Sequence, residues 1–193
     1  MSKPKILAFS GSARTESYNQ KLVTIAAEAA RAAGGEVTLI NLRDFPMPLF
    51  DQDGEAATGM PEHAKRLKTL FREHDALLIS APEYNSSITP LLKNAIDWVS
   101  RTEAEGEPAL VAYQGKVAAL LSASPGGLGG LRGLVHVRSI LGNIGVLVLP
   151  DQLSIPTAYE AFDDSGQLKD AGKTKQVQRI AKALVETTAK LKG

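Results

Sequence analysis

Five short apolar runs alternate with segments of helical periodicity, and this alternation restricts the possible folds of the chain more than any other feature. Continuous apolar runs of this length are typical of strands buried on both faces of a parallel sheet, with the intervening segments as crossover helices. The chain is therefore predicted to be an α/β protein with a five-stranded parallel sheet. The predicted strands are residues 5–10, 37–40, 76–80, 117–121 and 146–149.

The spacing of apolar residues between these runs predicts the helices. The helix that starts at Pro61 is predicted to carry basic residues on its solvent face, and His63 and His74 are expected on that face too. Residues 43–60, rich in Pro, Asp and Gly, are predicted to form a solvated loop whose aspartates suggest a metal only weakly. The predicted helices are residues 19–33, 61 onwards, 89–99, 131–144 and 173–191.

Composition excludes several classes of protein. A length of 193 residues suits one domain, and a formal net charge of +1 provides no field that would attract nucleic acid or an anionic membrane. The absence of cysteine excludes disulfides, thiolate nucleophiles and cysteine-bound metal clusters. No apolar run is long enough to cross a bilayer, and the first residues lack a signal-peptide core. We therefore expect a single domain over residues 1–193, located in the cytoplasm.

Three loops with unusual chemistry follow predicted strands: residues 10–19, 82–88 and 123–130. In an open parallel sheet, ligands bind beyond the carboxyl ends of the strands, at the point where the strand order reverses. Because all three loops leave such strand ends, the sequence predicts a single ligand site that they share.

The first loop combines serine hydroxyls, a glycine and Arg14 between a strand and a helix start. Free N–H groups at a helix N-terminus, hydroxyl donors and a guanidinium together favour phosphate binding. Ser17 and Gln20 have the spacing of a capping box, which predicts that the helix begins beside the loop. The residues alone leave open an ordinary strand-to-helix turn with a capping serine.

The second and third loops offer a slot for a planar group. Tyr84, Asn85 and the neighbouring backbone amides provide a flat surface and in-plane hydrogen bonds, as a heterocycle requires. The glycines that follow Ser124 allow a ligand to approach the backbone closely. Taken singly, the second loop also fits a proline-led turn in which Tyr84 packs on a helix, and the third loop also fits a flexible strand-to-helix connection.

Taken in order, the motifs resemble the NADPH-dependent FMN reductase family, whose members include chromate, quinone and azo-dye reductases. The resemblance extends over about residues 5–150 and implies a flavodoxin-like three-layer sandwich with strand order 2-1-3-4-5. The residues that carry it are 11–19, 82–87, 92–98 and 124–132.

The resemblance also implies FMN as cofactor and NADPH as reductant, and it assigns residues to each part of FMN. The phosphate is assigned to Ser10, Ser12, Arg14, Ser17 and Asn19; the isoalloxazine ring and ribityl chain to Pro82, Glu83, Tyr84, Asn85 and Ser86; and the other side of the flavin to Ser124, Gly126 and Gly127.

The implied chemistry takes place on the flavin. Hydride passes from NADPH to flavin N5, and the electrons then pass to a second small molecule (a flavin, quinone, chromate or azo compound) in a ping-pong scheme. No catalytic side chain and no metal are expected. Each of the three histidines, including His136, is expected to have a structural or surface role.

Two other functions remain as alternatives. A flavodoxin-type electron carrier would share the fold and FMN without oxidising NADPH. Such carriers usually have a strongly acidic surface and a phosphate loop without arginine, so the net charge of +1 and Arg14 argue against this alternative. A phosphate-binding regulatory module would leave the second and third loops unexplained.

The oligomeric state is predicted from the helix near residues 90–99, which has more apolar residues than one narrow stripe needs. This surplus fits either burial within its own domain or a subunit interface. The resemblance favours a homodimer or homotetramer, in which Glu83 and Arg101 would pair with charges across the interface.

Overall fold

The computed structural model describes residues 2–193 and places a five-stranded parallel sheet at the centre of the molecule. In chain order the strands are β1 (Lys5–Ser10), β2 (Glu36–Asn41), β3 (Ala76–Ser80), β4 (Glu83–Tyr84), β5 (Ser87–Ile88), β6 (Val117–Ala123) and β7 (Leu147–Ile155). The helices are α1 (Tyr18–Ala32), α2 (Gln52–Thr58), α3 (Glu62–Glu73), α4 (Pro90–Ser100), α5 (Leu131–Asn143), α6 (Ala158–Ala161) and α7 (Ala171–Leu191).

The sheet has the order β2-β1-β3-β6-β7, and all of its pairings are parallel. Because β4 and β5 form a separate antiparallel hairpin, β6 and β7 are the fourth and fifth strands of the prediction. The predicted order 2-1-3-4-5 is therefore confirmed. The order reverses between β1 and β3, so the crevice in which α/β proteins bind ligands lies beyond the carboxyl ends of these two strands.

Helices cover both faces of the sheet because successive residues of a strand point to opposite faces. In β1, Ile6 and Ala8 pack with α1 and α7, whereas Leu7 and Phe9 pack with α3, α4 and α5. The inner strands β3 and β6 are buried along their whole length, as their continuous apolar runs require. These three layers confirm the flavodoxin-like sandwich.

The region after residue 149 completes the sheet and one covering layer. β7 runs to Ile155 rather than ending at residue 149, since a bulge opposite Ala118 and Leu120 accommodates the polar residues that interrupt its apolar pattern. α7 packs against α1. Within residues 2–193, none of the helices combines the length and the apolar character needed to cross a bilayer.

The prediction of a loop over residues 43–60 is wrong in part. A 3-10 turn spans Leu42–Asp44, and α2 follows with the Asp51 carboxylate accepting from the N–H groups of Asp53 (3.4 Å) and Gly54 (3.0 Å). A glycine inside this short helix obscured its periodicity, although Asp51 is a good N-cap residue. Among residues 2–193, no cluster of three or more potential metal ligands occurs, here or elsewhere.

Two polar side chains at α3 are buried, contrary to the predicted solvent face. The ring nitrogens of His74, 7% exposed, contact the Leu70 carbonyl (2.6 Å) and the Thr38 hydroxyl (2.7 Å). The Lys68 ammonium is buried against the Glu107 carboxylate and, through this hydrogen bond, holds the pKa of Glu107 below its usual value. Helical periodicity could not reveal these partners, because two of them lie 36 and 39 residues away in the sequence.

One buried side chain, Asn19, joins three elements at the carboxyl end of the sheet. Its amide nitrogen donates to the Ala123 carbonyl (2.7 Å), and its amide oxygen accepts from the Ala123 N–H (2.9 Å) and the Ser80 hydroxyl (2.9 Å). Asn19 lies in the first turn of α1, Ser80 ends β3 and Ala123 ends β6. The amide thus fixes the positions from which the three predicted site loops begin or end.

Asn19→Ala is expected to lower the free energy of unfolding by about 3 kcal/mol, because it leaves the Ser80 hydroxyl and the Ala123 backbone buried without their partner. Urea denaturation measures this loss. Gln20→Ala is the matched control: its Oε1 atom is buried without a hydrogen-bond partner, so truncation should cost less than about 1 kcal/mol. Equal losses for the two variants would contradict the joining role of Asn19.

Candidate active site

Serine hydroxyls of the first loop accept hydrogen bonds from backbone N–H groups. Ser10 Oγ accepts from Ser12 N–H (3.2 Å), Ser12 Oγ from Arg14 N–H (3.3 Å) and Ser17 Oγ from Gln20 N–H (3.2 Å). The Ser17 contact caps α1 as predicted, although the buried Gln20 Oε1 finds no partner, so only half of the capping box forms. Because each oxygen acts as an acceptor, the hydroxyl hydrogens of Ser12 and Ser17 stay available to a ligand.

A small cavity of about 60 Å³ lies where the three loops meet. This space suits a compact anion and is too small for a whole cofactor. Within residues 2–193, no acceptor or carboxylate binds the Arg14 guanidinium, which borders the cavity. The lining residues are Ser12, Arg14, Ser17, Tyr18, Asn19, Pro82, Glu83, Tyr84, Ala123, Ser124 and Pro125.

The cavity brings together most of the residues that the sequence predicts for the site, but not all. Ser10 lies fully buried beneath the first loop and supports it through Ser12. Asn85 and Ser86, at the tip of the second loop, and Gly126 and Gly127, on the third, do not line the cavity. A ligand that reached these four residues would therefore have to extend beyond the cavity.

The second loop is a tight hairpin. β4 and β5 pair antiparallel, and the two residues between them, Asn85 and Ser86, have φ values of 49° and 67°. Positive φ at both positions gives the twist that two-residue hairpins need, and asparagine tolerates it better than most residues. His136 Nδ1 contacts the Ser87 hydroxyl at 2.9 Å, a structural contact for this histidine. The hairpin therefore fixes the backbone position of Tyr84, whose side chain is half exposed.

Glu83 anchors the hairpin to the start of α5. Its carboxylate accepts from the Arg132 guanidinium (2.7 and 3.0 Å) and from Gly133 N–H (3.0 Å) in the first turn of the helix. Burial raises the pKa of Glu83, but the hydrogen bonds from Gly133 and Arg132 outweigh this effect and hold the pKa below its usual value. The sequence reasoning missed Arg132, although it lies within the motif at residues 124–132.

Glu83 and Arg101, the two residues predicted to pair across a subunit interface, each have a partner within their own chain. Glu83 binds Arg132 of its own chain, and Arg101 binds Glu55 of its own chain at 2.8 Å. Hydrogen bonding to Glu55 raises the pKa of Arg101, because the carboxylate stabilises the charged form of the guanidinium. Pairing of either residue across a subunit interface stays a prediction.

The third loop contains two kinds of glycine. A Cβ at Gly129 would lie 2.6 Å from backbone atoms, and one at Gly130 would lie 1.9 Å from a serine hydroxyl, so the fold itself requires glycine there. A Cβ at Gly127 would meet no atom within 4 Å, and one at Gly126 would meet its nearest atom at 3.7 Å. Packing does not explain these two, and the open space beside them fits a ligand lying against the backbone.

Two further residues, Thr89 and Arg43, brace the first loop. The Thr89 hydroxyl caps α4 and donates to the Gly11 carbonyl at 2.6 Å. Arg43, directly after β2, donates to the Ala13 carbonyl and to the Thr15 hydroxyl (3.2 and 3.3 Å). The sequence reasoning missed both residues. The Thr-Pro pair at the start of α4 was a signal for Thr89, and the position of an arginine just after β2, the neighbour of β1, was a signal for Arg43.

α4 is buried within its own chain. Trp98 packs edge-on against Phe50 with ring centroids 5.1 Å apart, and both Asn94 and Trp98 donate to the Pro48 carbonyl (2.9 and 2.8 Å). The segment before α2 therefore covers the helix, which explains its surplus of apolar residues. The apolar surplus of α4 therefore gives no support to a homodimer or homotetramer, which stays a prediction. The buried apolar residues of the helix are Leu92, Ala95, Ile96, Trp98 and Val99.

The fold and the three loops together define a class of protein. A sandwich of flavodoxin-like order, with hydroxyls and Arg14 on the first loop, a tyrosine-bearing hairpin and an open glycine segment, has the features of α/β proteins that hold a phosphate-bearing planar cofactor at the carboxyl end of the sheet.

Comparison with known proteins specifies the class further. A profile of the NADPH-dependent FMN reductase family matches residues 4–160. The chain is 36% identical over 191 residues to an NAD(P)H-dependent FMN reductase of Pseudomonas aeruginosa, covering 98% of this chain and 97% of that protein. It is also 36% identical over 165 residues to a quinone reductase of Pseudomonas putida, covering 83% of this chain and 82% of that protein.

Among solved structures, FerB of Paracoccus denitrificans, a flavoenzyme NAD(P)H:(acceptor) oxidoreductase, superposes with a TM-score of 0.78 at 27% identity. The alignment covers 97% of this chain and 98% of FerB. The chain therefore belongs to the NADPH-dependent FMN reductase family and is an oxidoreductase. The resemblance drawn from its motifs is confirmed.

Glu83→Gln is expected to reduce the free energy of unfolding at neutral pH by about 1–3 kcal/mol, because a neutral amide binds Arg132 and the start of α5 more weakly. Since the pKa of Glu83 is lowered on folding, its contribution is present above the usual glutamate pKa and is lost as the pH falls through the folded value. The difference between wild type and variant should therefore shrink under acid conditions.

Denaturant unfolding at neutral and acid pH checks this prediction. Glu28→Gln serves as the control, because Glu28 pairs with Arg31 on the exposed side of α1 and should contribute less than about 1 kcal/mol at either pH. An effect of Glu83→Gln that is the same at both pH values would rule out the charged anchor.

Proposed function

We propose that this protein binds FMN, oxidises NADPH and passes the electrons to a small acceptor. Membership of the family supports FMN as the cofactor and NAD(P)H as the reductant. One observation carries the proposal: the cavity at the meeting point of the three loops, bordered by hydroxyls with hydrogens to donate and by Arg14, which no carboxylate binds within residues 2–193. The open side of Gly126 and Gly127 gives a planar group room beside it.

In this proposal the first loop holds the FMN phosphate. The hydroxyls of Ser12 and Ser17 donate to the phosphate oxygens, and Arg14 supplies the full positive charge. Ser10 and Asn19 are buried and support the first loop indirectly. Ser10 fixes the backbone of Ser12, and the amide of Asn19 is already engaged by the ends of β3 and β6, so its contribution is to position the loop.

The hairpin and the third loop would hold the ring and the ribityl chain. FMN, when bound, takes up a hydride from the nicotinamide and releases the electrons to an acceptor. No side chain then has to act as acid, base or nucleophile, and the residues of both loops orient the ring and leave one side open for substrates. The residues assigned to this task are Pro82, Glu83, Tyr84, Asn85, Ser86, Ser124, Gly126 and Gly127.

The acceptor in this proposal is a flavin, quinone, chromate or azo compound that uses the same open side after the oxidised nicotinamide has left. The names of two relatives, an FMN reductase and a quinone reductase, support flavins and quinones among these. We further propose that residues 1–193 form one domain, supported by the packing of α7 on α1.

An anaerobic titration tests the proposed function. Protein reconstituted with FMN should lose its visible flavin absorbance when NADPH is added and regain it when a quinone is added. A flavodoxin-type carrier would retain FMN without being bleached by NADPH, and a non-redox phosphate-binding module would not retain FMN. In steady-state kinetics, parallel double-reciprocal lines are expected for the ping-pong order, and intersecting lines would contradict it.

Arg14→Ala is expected to raise the FMN dissociation constant roughly tenfold to hundredfold, because it removes a charge-assisted contact to the phosphate. Quenching of flavin fluorescence measures the constant, and urea denaturation checks that the fold is intact. Arg179→Ala, at an exposed pair with Asp151 on α7, is the control and should leave FMN binding unchanged. An unchanged constant for Arg14→Ala would contradict the phosphate assignment.

A further inference from the structure

A second, larger cavity lies beside the first, on the other side of Arg14. We call it the arginine groove; its open space is about 530 Å³, within the range of small-molecule sites. Ser12, Arg14 and Tyr84 border both cavities, so a ligand in the groove would lie directly beside one held by the first loop. The groove is lined by Gly11, Ser12, Ala13, Arg14, Arg43, Tyr84, Thr89, Pro90 and Leu91.

The arginine groove carries positive charge without compensation. Arg14 and Arg43 both line it, and no carboxylate does. Several other arginines are neutralised by carboxylates, as Arg101 is by Glu55 and Arg132 by Glu83. Within residues 2–193, neither Arg14 nor Arg43 has such a partner, so the groove attracts a ligand with negative charge.

Arg43 is held in place by neutral acceptors only. Its Nη atoms donate to the Ala13 carbonyl and to the Thr15 hydroxyl (3.2 and 3.3 Å), contacts that fix the guanidinium without cancelling its charge. A guanidinium has further N–H donors beyond these, which suit the paired oxygens of a phosphate. Pro90 and Leu91 also line the groove and offer an apolar surface for a flat or hydrophobic body.

A phosphate on a flat, partly apolar body is the ligand that fits such a groove. Of the two nicotinamide dinucleotides, only NADPH carries an additional dianionic phosphate, on its adenosine. The first strand is not followed by the glycine fingerprint that would bind a dinucleotide through its backbone, and the first loop is assigned to the FMN phosphate. Side chains must therefore recognise the phosphates of the reductant.

We propose that the arginine groove binds the phosphorylated adenosine of NADPH and that Arg43 holds its 2′-phosphate, which makes Arg43 the residue that selects NADPH over NADH. This inference rests on the proposed function. Arg14 is shared with the FMN phosphate cavity, whereas Arg43 borders only the groove and contacts the first loop through the Ala13 carbonyl and the Thr15 hydroxyl. A changed reductant preference at an unchanged FMN dissociation constant therefore identifies its role.

The kinetic test compares kcat/KM for NADPH and NADH in the FMN-loaded enzyme. Wild type should favour NADPH, and Arg43→Ala should lower the ratio roughly tenfold to hundredfold, mainly through the KM for NADPH. Arg43→Lys should keep part of the preference. Arg179→Ala, at an exposed pair with Asp151, should keep the wild-type ratio.

A binding test gives a readout that does not depend on turnover. Calorimetric titration with 2′,5′-ADP and with 5′-AMP should show tighter binding of 2′,5′-ADP to wild type and no such difference in Arg43→Ala. If the protein oxidises neither dinucleotide, the proposed function is overturned. The titration then still shows whether the arginine groove binds a 2′-phosphate.

Three results would overturn the inference. One is a wild type that favours neither NADPH over NADH nor 2′,5′-ADP over 5′-AMP. Another is an equal fall of kcat/KM for both dinucleotides in Arg43→Ala. The third is an increase of the FMN dissociation constant in Arg43→Ala with an unchanged NADPH preference, which would make Arg43 only a support of the first loop.

Discussion

The buried amide of Asn19 is the interaction on which the candidate site depends. Parallel pairing fixes the register of β1, β3 and β6, but it does not fix the direction in which the chain leaves each strand. Asn19 binds the end of β3 through Ser80 and the end of β6 through Ala123, and it does so from the first turn of α1. The three loops therefore meet at one point, and only then do their hydroxyls and Arg14 enclose a cavity of the size of an anion.

Around this point, the placement of charge matters more than its total. The chain has a formal net charge of only +1, so no overall field draws ligands to it. Ion pairs within the chain satisfy the charges that stabilise the scaffold: Lys68 with Glu107, and Glu83 with Arg132. Arg14 and Arg43 lack such pairs within residues 2–193, and both border the cavities at the carboxyl end of the sheet. The local field there is positive, which suits the anionic cofactor of an FMN-dependent reductase.

Sequence reasoning succeeded where a signal was local. The inner strands followed from continuous apolar runs, the start of α1 from the Ser17 cap, and the family from motifs in order along the chain. It failed where a partner distant in the sequence decides the environment. Burial of His74 depends on Thr38, and in the same way the role of Arg43 depends on a loop about thirty residues before it. The short helix after Asp51 was missed because its few residues give too little periodicity to detect.

The sequence by itself determined the fold class, the strand order through the family, and the three loops that form the site, because periodicity and motifs are properties of neighbouring residues. Only the tertiary structure decided which of the predicted residues support the site and which border it. Ser10 and Asn19 became supports, and Arg43 became a wall of a second groove. The physical reason is that a hydrogen bond or an ion pair forms between residues that only folding brings together. The spacing of residues along the sequence therefore does not show which polar groups remain free for a ligand once the others have found partners.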